Sequence, residues 1–372
     1  MIVNEIFLDS FRNYKSVTAR FCDGVNVILG RNAQGKTTLL EAVSYLAAGR
    51  SFRLAADKDL IAFDKENACI RANIQSGGRE QTIQARIIRG RRREIYVNDV
   101  KINKVSELAG RLSVVVFGPD DLNIVKEGAA VRRKLLDYSL SQLRPGYLAA
   151  LTEFNKLYEH KTRILRDYRE KPSLLELLDD FNHRLAEQSA RLIYYRSAFS
   201  EKLKTGAAEI HKEFSGGAES LTIHYKTVGG MDPRGKNAEE LLPFLLERQR
   251  EMKQAELKAG LCLSGAHKDD LEIEINGALA RKFASQGQAR TASVSIKLAE
   301  RDIHHNDRGE CPILLLDDVF SELDAARQRF ILARINQGQA LITCCDENVA
   351  SAVSAGVVLR AENGELLTSI RS

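Results

Sequence analysis

Eight consecutive residues limit what this chain can fold into more than any other feature: Gly30-Arg31-Asn32-Ala33-Gln34-Gly35-Lys36-Thr37. They fit the pattern G-x-x-x-x-G-K-[ST]. An apolar run, Val25–Leu29, precedes them, and Thr38–Ala48 follows with Leu39, Leu40, Val43 and Leu46 on one helical face. A strand, a glycine-bounded loop and a helix make a phosphate site. Glycines let backbone N–H groups curl round anionic oxygens, and the helix N-terminus adds its positive end. Lys36 is expected to bridge β- and γ-phosphate charge, and Thr37 to place its hydroxyl on Mg²⁺. The expected nucleotide-binding stretch runs from Gly30 through Thr38.

A second apolar run, Ile313-Leu314-Leu315-Leu316, ends in two acids, Asp317 and Asp318. A buried strand closed by carboxylates delivers them to the C-terminal edge of a sheet, where ligands bind in such folds. Asp317 is the expected Mg²⁺ partner. Asp318 is placed to orient or deprotonate an attacking water, and with Lys36 it is the expected catalytic residue.

Between these motifs the patterning changes. Apolar and polar residues alternate around Val3–Leu8, Val17–Phe21, Ala68–Gln75, Gln81–Ile88 and Glu94–Val97, as strands do, and Val114–Phe117 reads as a buried strand. From about Asp120 to Lys258 the period is helical, with Leu174, Leu177, Leu178, Phe181, Leu185 and Leu192 forming an expected core stripe. One strand-like interruption falls at Leu221–Tyr225, and alternation returns at Leu271, Ile273 and Ile275. The reading is a discontinuous α/β lobe, residues 1–119 and 260–372, with a helical lobe at 120–259.

Downstream of the acidic strand, Ser321-Glu322-Leu323-Asp324 resembles the D-loop of ABC-type ATPases, and Asp317-Asp318 their Walker B. Ser285-Gln286-Gly287-Gln288, opening a helix, resembles their signature. Within that group the chain is most similar to the RecF family of SMC-like ATPases. Phe11-Arg12-Asn13-Tyr14, Phe117–Leu122, Arg132–Asp137, Ser264–Asp270 and Ala284–Gly287 add to that resemblance, which covers essentially the whole chain. It implies an ABC-type P-loop ATPase head with a mostly helical inserted lobe. It also implies ATP and Mg²⁺ as cofactors, and a homodimer whose signature residues, with Asp324, close on nucleotide held by the other copy. The implied work is recombinational gap repair on single-stranded and gapped duplex DNA without sequence preference, loading RecA with RecO- and RecR-type partners. Links to replication and the SOS response belong to the same implication.

Departures point to slow hydrolysis. The signature is SQGQ, the second acid is Asp318 rather than Glu, Phe117–Leu122 lacks the Q-loop Gln, and no His follows Ala340–Cys344, where Thr343 is the nearest polar residue. ATP is then expected to act as a clamp switch. Lys36 and Asp317 are 281 residues apart, which leaves no room for long coiled-coil arms. A transporter ATPase subunit or another P-loop NTPase is the alternative. The first needs a membrane partner and a signature closer to its acidic strand than the 32 residues from Ser285 to Asp317. The second needs neither SQGQ nor SELD.

Composition adds limits. No apolar run approaches the roughly 20 residues that span a bilayer, the N-terminus lacks a secretory pattern, and none of the six Cys forms C-x-x-C, so buried thiols in the cytoplasm are expected. A net charge of +5 permits a polyanion partner. Arg89, Arg91, Arg92 and Arg93, with Arg86, lie on an expected hairpin and are candidates for phosphate-backbone contact. Arg132-Arg133-Lys134 is expected on a surface helix face, and His304–His305 among surface or helix-end groups. His267 is expected to be structural or to couple to nucleotide, because no second ligand lies at metal spacing.

Overall fold

The computed structural model describes residues 1–53, 55–335, 337–345, 356–362 and 364–370. Met1–Asn123 carries β1 (Ile2–Phe11), β2 (Tyr14–Arg20), β3 (Val25–Leu29), α1 (Lys36–Ala48), β4 (Asn67–Ser76), β5 (Arg79–Ile88), β6 (Glu94–Val97), β7 (Val100–Ile102) and β8 (Val114–Phe117). The middle carries α2 (Ala129–Leu143), α3 (Pro145–Asp167), α4 (Leu175–Phe214), β9 (Leu221–Lys226), α5 (Ala238–Ala259), β10 (Asp270–Ile275), β11 (Ala278–Leu279) and α6 (Ala280–Phe283). The remainder carries α7 (Gln286–Arg308), β12 (Ile313–Asp317), α8 (Ala325–Ile335), β13 (Ala340–Cys344), β14 (Val357–Glu362) and β15 (Glu365–Ile370).

Two compact units result: Met1–Asn123 with Ser293–Ser372, and Ile124–Ala292. In the first, a six-stranded sheet runs β15-β14-β3-β13-β12-β8, with β14, β3, β13, β12 and β8 parallel to one another and β15 antiparallel to β14. β3, β12 and β13 are buried at every residue, as parallel strands covered on both faces must be. An antiparallel sheet, β2-β1-β4-β5-β6-β7, forms the second layer of apolar packing. Its β6–β7 hairpin turns through Asn98 and Asp99, both left-handed (φ 49° and 62°), residue types that tolerate this conformation.

The second unit is helical around a small sheet, β11-β10-β9. This moves the expected boundary. Leu271, Ile273 and Ile275 pair with Tyr225, Ile223 and Leu221, so the alternation after Gly260 completes the second unit's own sheet rather than rejoining the ATPase lobe. Alternation announces a strand but not the sheet it joins. α4 is 40 residues long and packs on α3 and α5, so its apolar stripe has partners inside the unit. Leu178, Leu185 and Leu192 are buried, whereas Leu177, one position off the face, is half exposed.

Buried charge ties this unit together. Lys161 and Glu256 pair at 2.6 Å with neither side chain exposed, and Lys161 also donates to Gln249 Oε1. Glu256 Oε1 accepts from Leu263 N and Ser264 N at 2.8 and 3.1 Å. The Arg196 guanidinium donates to Asp137, to Ala266 O and to Asp269 at 2.7, 2.7 and 3.2 Å. The Ser264–Asp270 segment is thereby fixed from beneath. His267 belongs to it structurally, its ring 4.6 Å from that of Tyr158 and its Nε2 3.1 Å from Cys262 O. Burial is the main cause that lowers its pKa to about 4.

Three further expectations change. His304 is wholly buried, its Nδ1 2.6 Å from Ser113 Oγ, because its position on α7 faces inward. Arg132 is not a surface residue; it is 3% exposed and forks onto Asp270 at 2.7 and 3.0 Å. Only Cys262 and Cys344 are buried thiols, while Cys345 is exposed.

Candidate functional site

β3 ends in the centre of its sheet, between β14 and β13. The loop that leaves it is held by close packing. A Cβ on Gly30 would stand 2.5 Å from Ala361 O, a backbone atom that cannot yield. Gly35 has φ 98°, and a Cβ there would meet Asn13 Nδ2 at 2.7 Å and Tyr14 Oη at 2.8 Å. The Tyr14 hydroxyl donates to Gly35 O at 3.2 Å, and burial raises its pKa to about 12, so it stays a donor. Lys36, buried, donates to Gly30 O and Arg31 O at 2.7 and 3.0 Å, and its Nζ lies 3.2 Å from Cys345 Sγ. Its ammonium therefore sits over the loop, where phosphate oxygens would compete for the same three donors.

The acidic strand arrives one strand further away, and β13 lies between. Register sets Thr343 of β13 opposite Ile28 on one side and Asp317 on the other. The consequence is a compact oxygen cluster. Asp317 Oδ1 accepts from Thr37 Oγ1 at 2.8 Å and from Thr343 Oγ1 at 2.9 Å, and Thr343 Oγ1 accepts from Asp318 N at 2.9 Å. Thr343 thus orients the two acids and does not occupy a switch position facing phosphate. Cys345 closes the described part of that segment; the positions beyond it lie outside the described residues.

A hydroxyl and a carboxylate side by side, with Lys36 beyond, suit Mg²⁺. That ion takes one or two protein oxygens and completes its shell with water and phosphate. Among the described residues no group of three or more His, Cys, Asp or Glu is placed to hold a metal ion. Asp318 has left-handed backbone (φ 53°), a conformation uncommon for a non-glycine residue and characteristic of functional sites. Burial raises the pKa of its carboxyl, Lys36 opposes that and Asp317 adds to it. A carboxyl raised in this way is a better proton acceptor from water.

A cavity of about 820 Å³ opens over the loop, lined by Asn32, Ala33, Gly35, Lys36, Thr37 and Thr38 and by Asp318. Its other wall was not foreseen: Arg12, Asn13, Arg53, Lys58, Asp59, Ile61, Phe63 and Arg89. The Phe11–Tyr14 motif explains part of it. Ser10 and Arg12 are left-handed (φ 52° and 55°), which turns the chain between β1 and β2 toward the loop. Arg12 then forks onto buried Glu41 of α1 at 2.9 and 3.1 Å. The Arg12-Asn13 break between two alternating runs was the available sequence signal.

The other expected nucleotide residues lie elsewhere. Ser285–Gln288 belongs to the second unit. There it forms a reciprocal capping box: Ser285 Oγ accepts from Gln288 N at 3.2 Å, and Gln288 Oε1 accepts from Ser285 N at 2.8 Å. The S-x-x-Q spacing carried that signal. Asp324 does not line the cavity; it caps α8, accepting from Arg327 N at 2.9 Å and pairing with the Arg327 side chain.

The hairpin arginines divide. Arg91 and Arg92 are exposed. Arg89 is exposed too, but it lines the cavity. Arg93 turns inward, 2.8 Å from Asp57 and over the Tyr45 ring at 5.9 Å, so its charge is already engaged.

Known proteins share this architecture. Residues 2–366 match the model of the RecF/RecN/SMC N terminal domain. A DNA replication and repair protein RecF of Acetivibrio thermocellus is 36% identical over 349 residues, 94% of each chain. Two solved structures of the recombination mediator protein RecF in the RecFOR pathway, one with ATPrS and one with ATP, are each 35% identical. They superpose with TM-scores of 0.91 and 0.89, covering 99% and 100% of this chain and 98% and 97% of theirs. An ABC ATPase head of the kind carried by SMC proteins, without a long coiled coil among the described residues, is thus the fold, and the chain belongs to the RecF/RecN/SMC N-terminal domain family, among its RecF members.

Proposed function

We propose that this chain is an ATP-dependent DNA-binding protein of recombinational gap repair. It binds Mg²⁺·ATP at the β3–α1 loop, dimerises on it, holds single-stranded DNA and duplex–single-strand junctions, and helps load RecA with RecO- and RecR-type partners. A role in replication and the SOS response belongs to the same reading. The observation that carries it is the Thr37–Asp317–Thr343 cluster beneath Lys36, an arrangement suited to Mg²⁺·ATP. Two RecF structures named with ATP or ATPrS support the nucleotide.

In this reading Lys36 and Thr37 hold the β- and γ-phosphates and the ion. Asp317 orients the ion's water shell, and Asp318 accepts a proton from the attacking water. The signature segment of a second copy meets the γ-phosphate with the Ser285 hydroxyl and the first-turn amides of α7, a helix N-terminus that favours anions. Asp324, exposed at the start of α8, would turn from its Arg327 pair to meet that second copy. Hydrolysis is slow, because Gln286 stands where a glycine would let phosphate approach and Asp318 is shorter by a methylene than Glu. ATP then closes a clamp, and its hydrolysis releases it.

The test is ATP-stimulated binding to gapped duplex DNA. Wild-type chain should bind more tightly with Mg²⁺·ATP, and Lys36→Met should lose the stimulation. ATP-independent binding of equal strength in both would refute the reading. No helix among the described residues is long and apolar enough to cross a membrane.

A further inference from the structure

The signature segment is held by a polar relay within the second unit. Gln288 Oε1 accepts from Ser285 N at 2.8 Å, and Gln288 Nε2 donates to Glu219 Oε1 at 2.8 Å. The other carboxylate oxygen of Glu219 lies 3.2 Å from His211 Nε2. His211 is wholly buried in the last turn of α4, and burial is the main cause that lowers its pKa; because a carboxylate only accepts, Nε2 is the nitrogen that turns its hydrogen toward Glu219. The chain reaches this position through Gly216 and Gly217, both left-handed (φ 61° and 82°), just past the α4 C-terminus. The Ser215 hydroxyl then meets Glu219 N at 3.3 Å. On the other side, the Lys126 ammonium donates to Ala284 O, immediately before Ser285.

A carboxylate only accepts hydrogen bonds, so it can face only the NH₂ end of an amide. Glu219 therefore decides which way the Gln288 amide points. With that amide reversed, an NH₂ group would confront Ser285 N–H, and a carbonyl oxygen would confront a carboxylate. Both contacts are repulsive, and the capping box would open. An open box frees the Ser285 hydroxyl and loosens the first turn of α7, the groups that the proposed function aims at a partner's γ-phosphate.

We infer that Glu219, backed by His211, is a positioning residue for the signature segment: it fixes the Gln288 amide and thereby the Ser285 hydroxyl and the first-turn amides. This rests on the two-copy reading given above. The prediction separates two steps. Nucleotide binding by one copy uses the loop after β3 and does not need Glu219; nucleotide-bridged dimerisation does.

The experiment measures both in the full chain, together with the melting temperature. Fluorescent ATP titration reads the first step, and sedimentation with a non-hydrolysable ATP analogue and Mg²⁺ reads the second. Glu219→Ala should bind nucleotide within about twofold of wild type yet dimerise at least tenfold more weakly. Glu219→Gln, which keeps an oxygen to accept from the Gln288 amide, should recover most of the loss. Ser285→Ala should also dimerise more weakly than wild type, and the double variant should lose less than the sum of the two single losses, because both act on the first turn of α7. Gln288→Met removes the amide without the carboxylate and should reproduce the defect, so the test survives if Glu219→Ala fails to fold. Wild-type dimerisation in Glu219→Ala or Gln288→Met, additive losses in the double variant, or a parallel loss of nucleotide affinity would overturn the assignment of Glu219. A wild-type chain that stays monomeric with nucleotide would instead overturn the two-copy reading itself, and this inference with it.

Discussion

Replacing Thr343 with valine removes a hydroxyl and almost no volume, which makes it a clean probe of the metal strand. Thr343 Oγ1 donates to Asp317 Oδ1 at 2.9 Å and accepts from Asp318 N at 2.9 Å, and the residue is wholly buried. A hydrogen bond to a charged group contributes about 1.5–3 kcal/mol, and a buried amide left without a partner costs about 1–3 kcal/mol. The first of these orients the carboxylate proposed to serve Mg²⁺, so it should appear in Mg²⁺-dependent affinity. At 1.4 kcal/mol per decade it corresponds to roughly a ten- to hundredfold weaker Kd for ATP with Mg²⁺. The amide term should appear in the melting temperature. Fluorescent ATP titrations with Mg²⁺ and with EDTA separate the two. Thr343→Val should weaken the Mg²⁺ titration and leave the EDTA titration close to wild type, whereas Thr343→Ser should behave as wild type in both. Equal weakening with and without Mg²⁺, or a Thr343→Ser variant as poor as Thr343→Val, would refute the assigned role.

Other outcomes follow from single groups. Arg91→Ala with Arg92→Ala should weaken DNA binding and reduce its log–log salt slope by about 2, close to 0.9 per lost phosphate contact, with ATP affinity unchanged; an unchanged slope removes the hairpin tip from the DNA path. Arg89→Ala should instead weaken ATP binding, because Arg89 lines the cavity over the β3–α1 loop where nucleotide is proposed to bind; normal ATP titration would count against that proposal. Stability should fall with acidification below pH 6.5. Burial, with Lys297 adding to it, lowers the His304 pKa to about 3, so the unfolded chain takes up that proton first. At pH 5 the 1.5-unit gap below 6.5 corresponds to about 2 kcal/mol, and His267, also lowered by burial, acts in the same direction. His304→Asn should flatten the melting temperature between pH 7 and 5, and an unaltered slope would contradict the account.

The sequence was most legible where chemistry and backbone coincide. Gly30–Thr37 and Ile313–Asp318 announced the strand–loop–helix, the buried acidic strand and the meeting of Thr37 with Asp317 that the structure shows, because the residues proposed for phosphate and Mg²⁺ stand at the ends of buried strands. What sequence could not tell was which elements become neighbours. Thr343 acquires its role from lying on the strand between β3 and β12, a matter of strand order. Leu271–Ile275 showed its alternation but not that β9 was its partner. Arg89 and Arg93 read alike in a basic run, yet one lines the cavity over the β3–α1 loop and the other pairs with Asp57, since both stand in the turn between β5 and β6, where no strand alternation sets the side a residue takes. Arg132 is the sharpest case: three consecutive cations suggested an exposed face, and the acid that buries the first of them, Asp270, lies 138 residues away.

The central claim is that ATP binding joins two copies through the loop after β3 in one and the signature segment in the other. The molar mass of the chain, measured by sedimentation with and without Mg²⁺·ATP and gapped duplex DNA, tests it most directly. The account predicts a monomer of 41.5 kDa without nucleotide, a dimer with ATP, tighter association when DNA is added, and no dimer for Lys36→Met or Ser285→Ala. A monomer under every condition, or a dimer indifferent to nucleotide and to both substitutions, would contradict it.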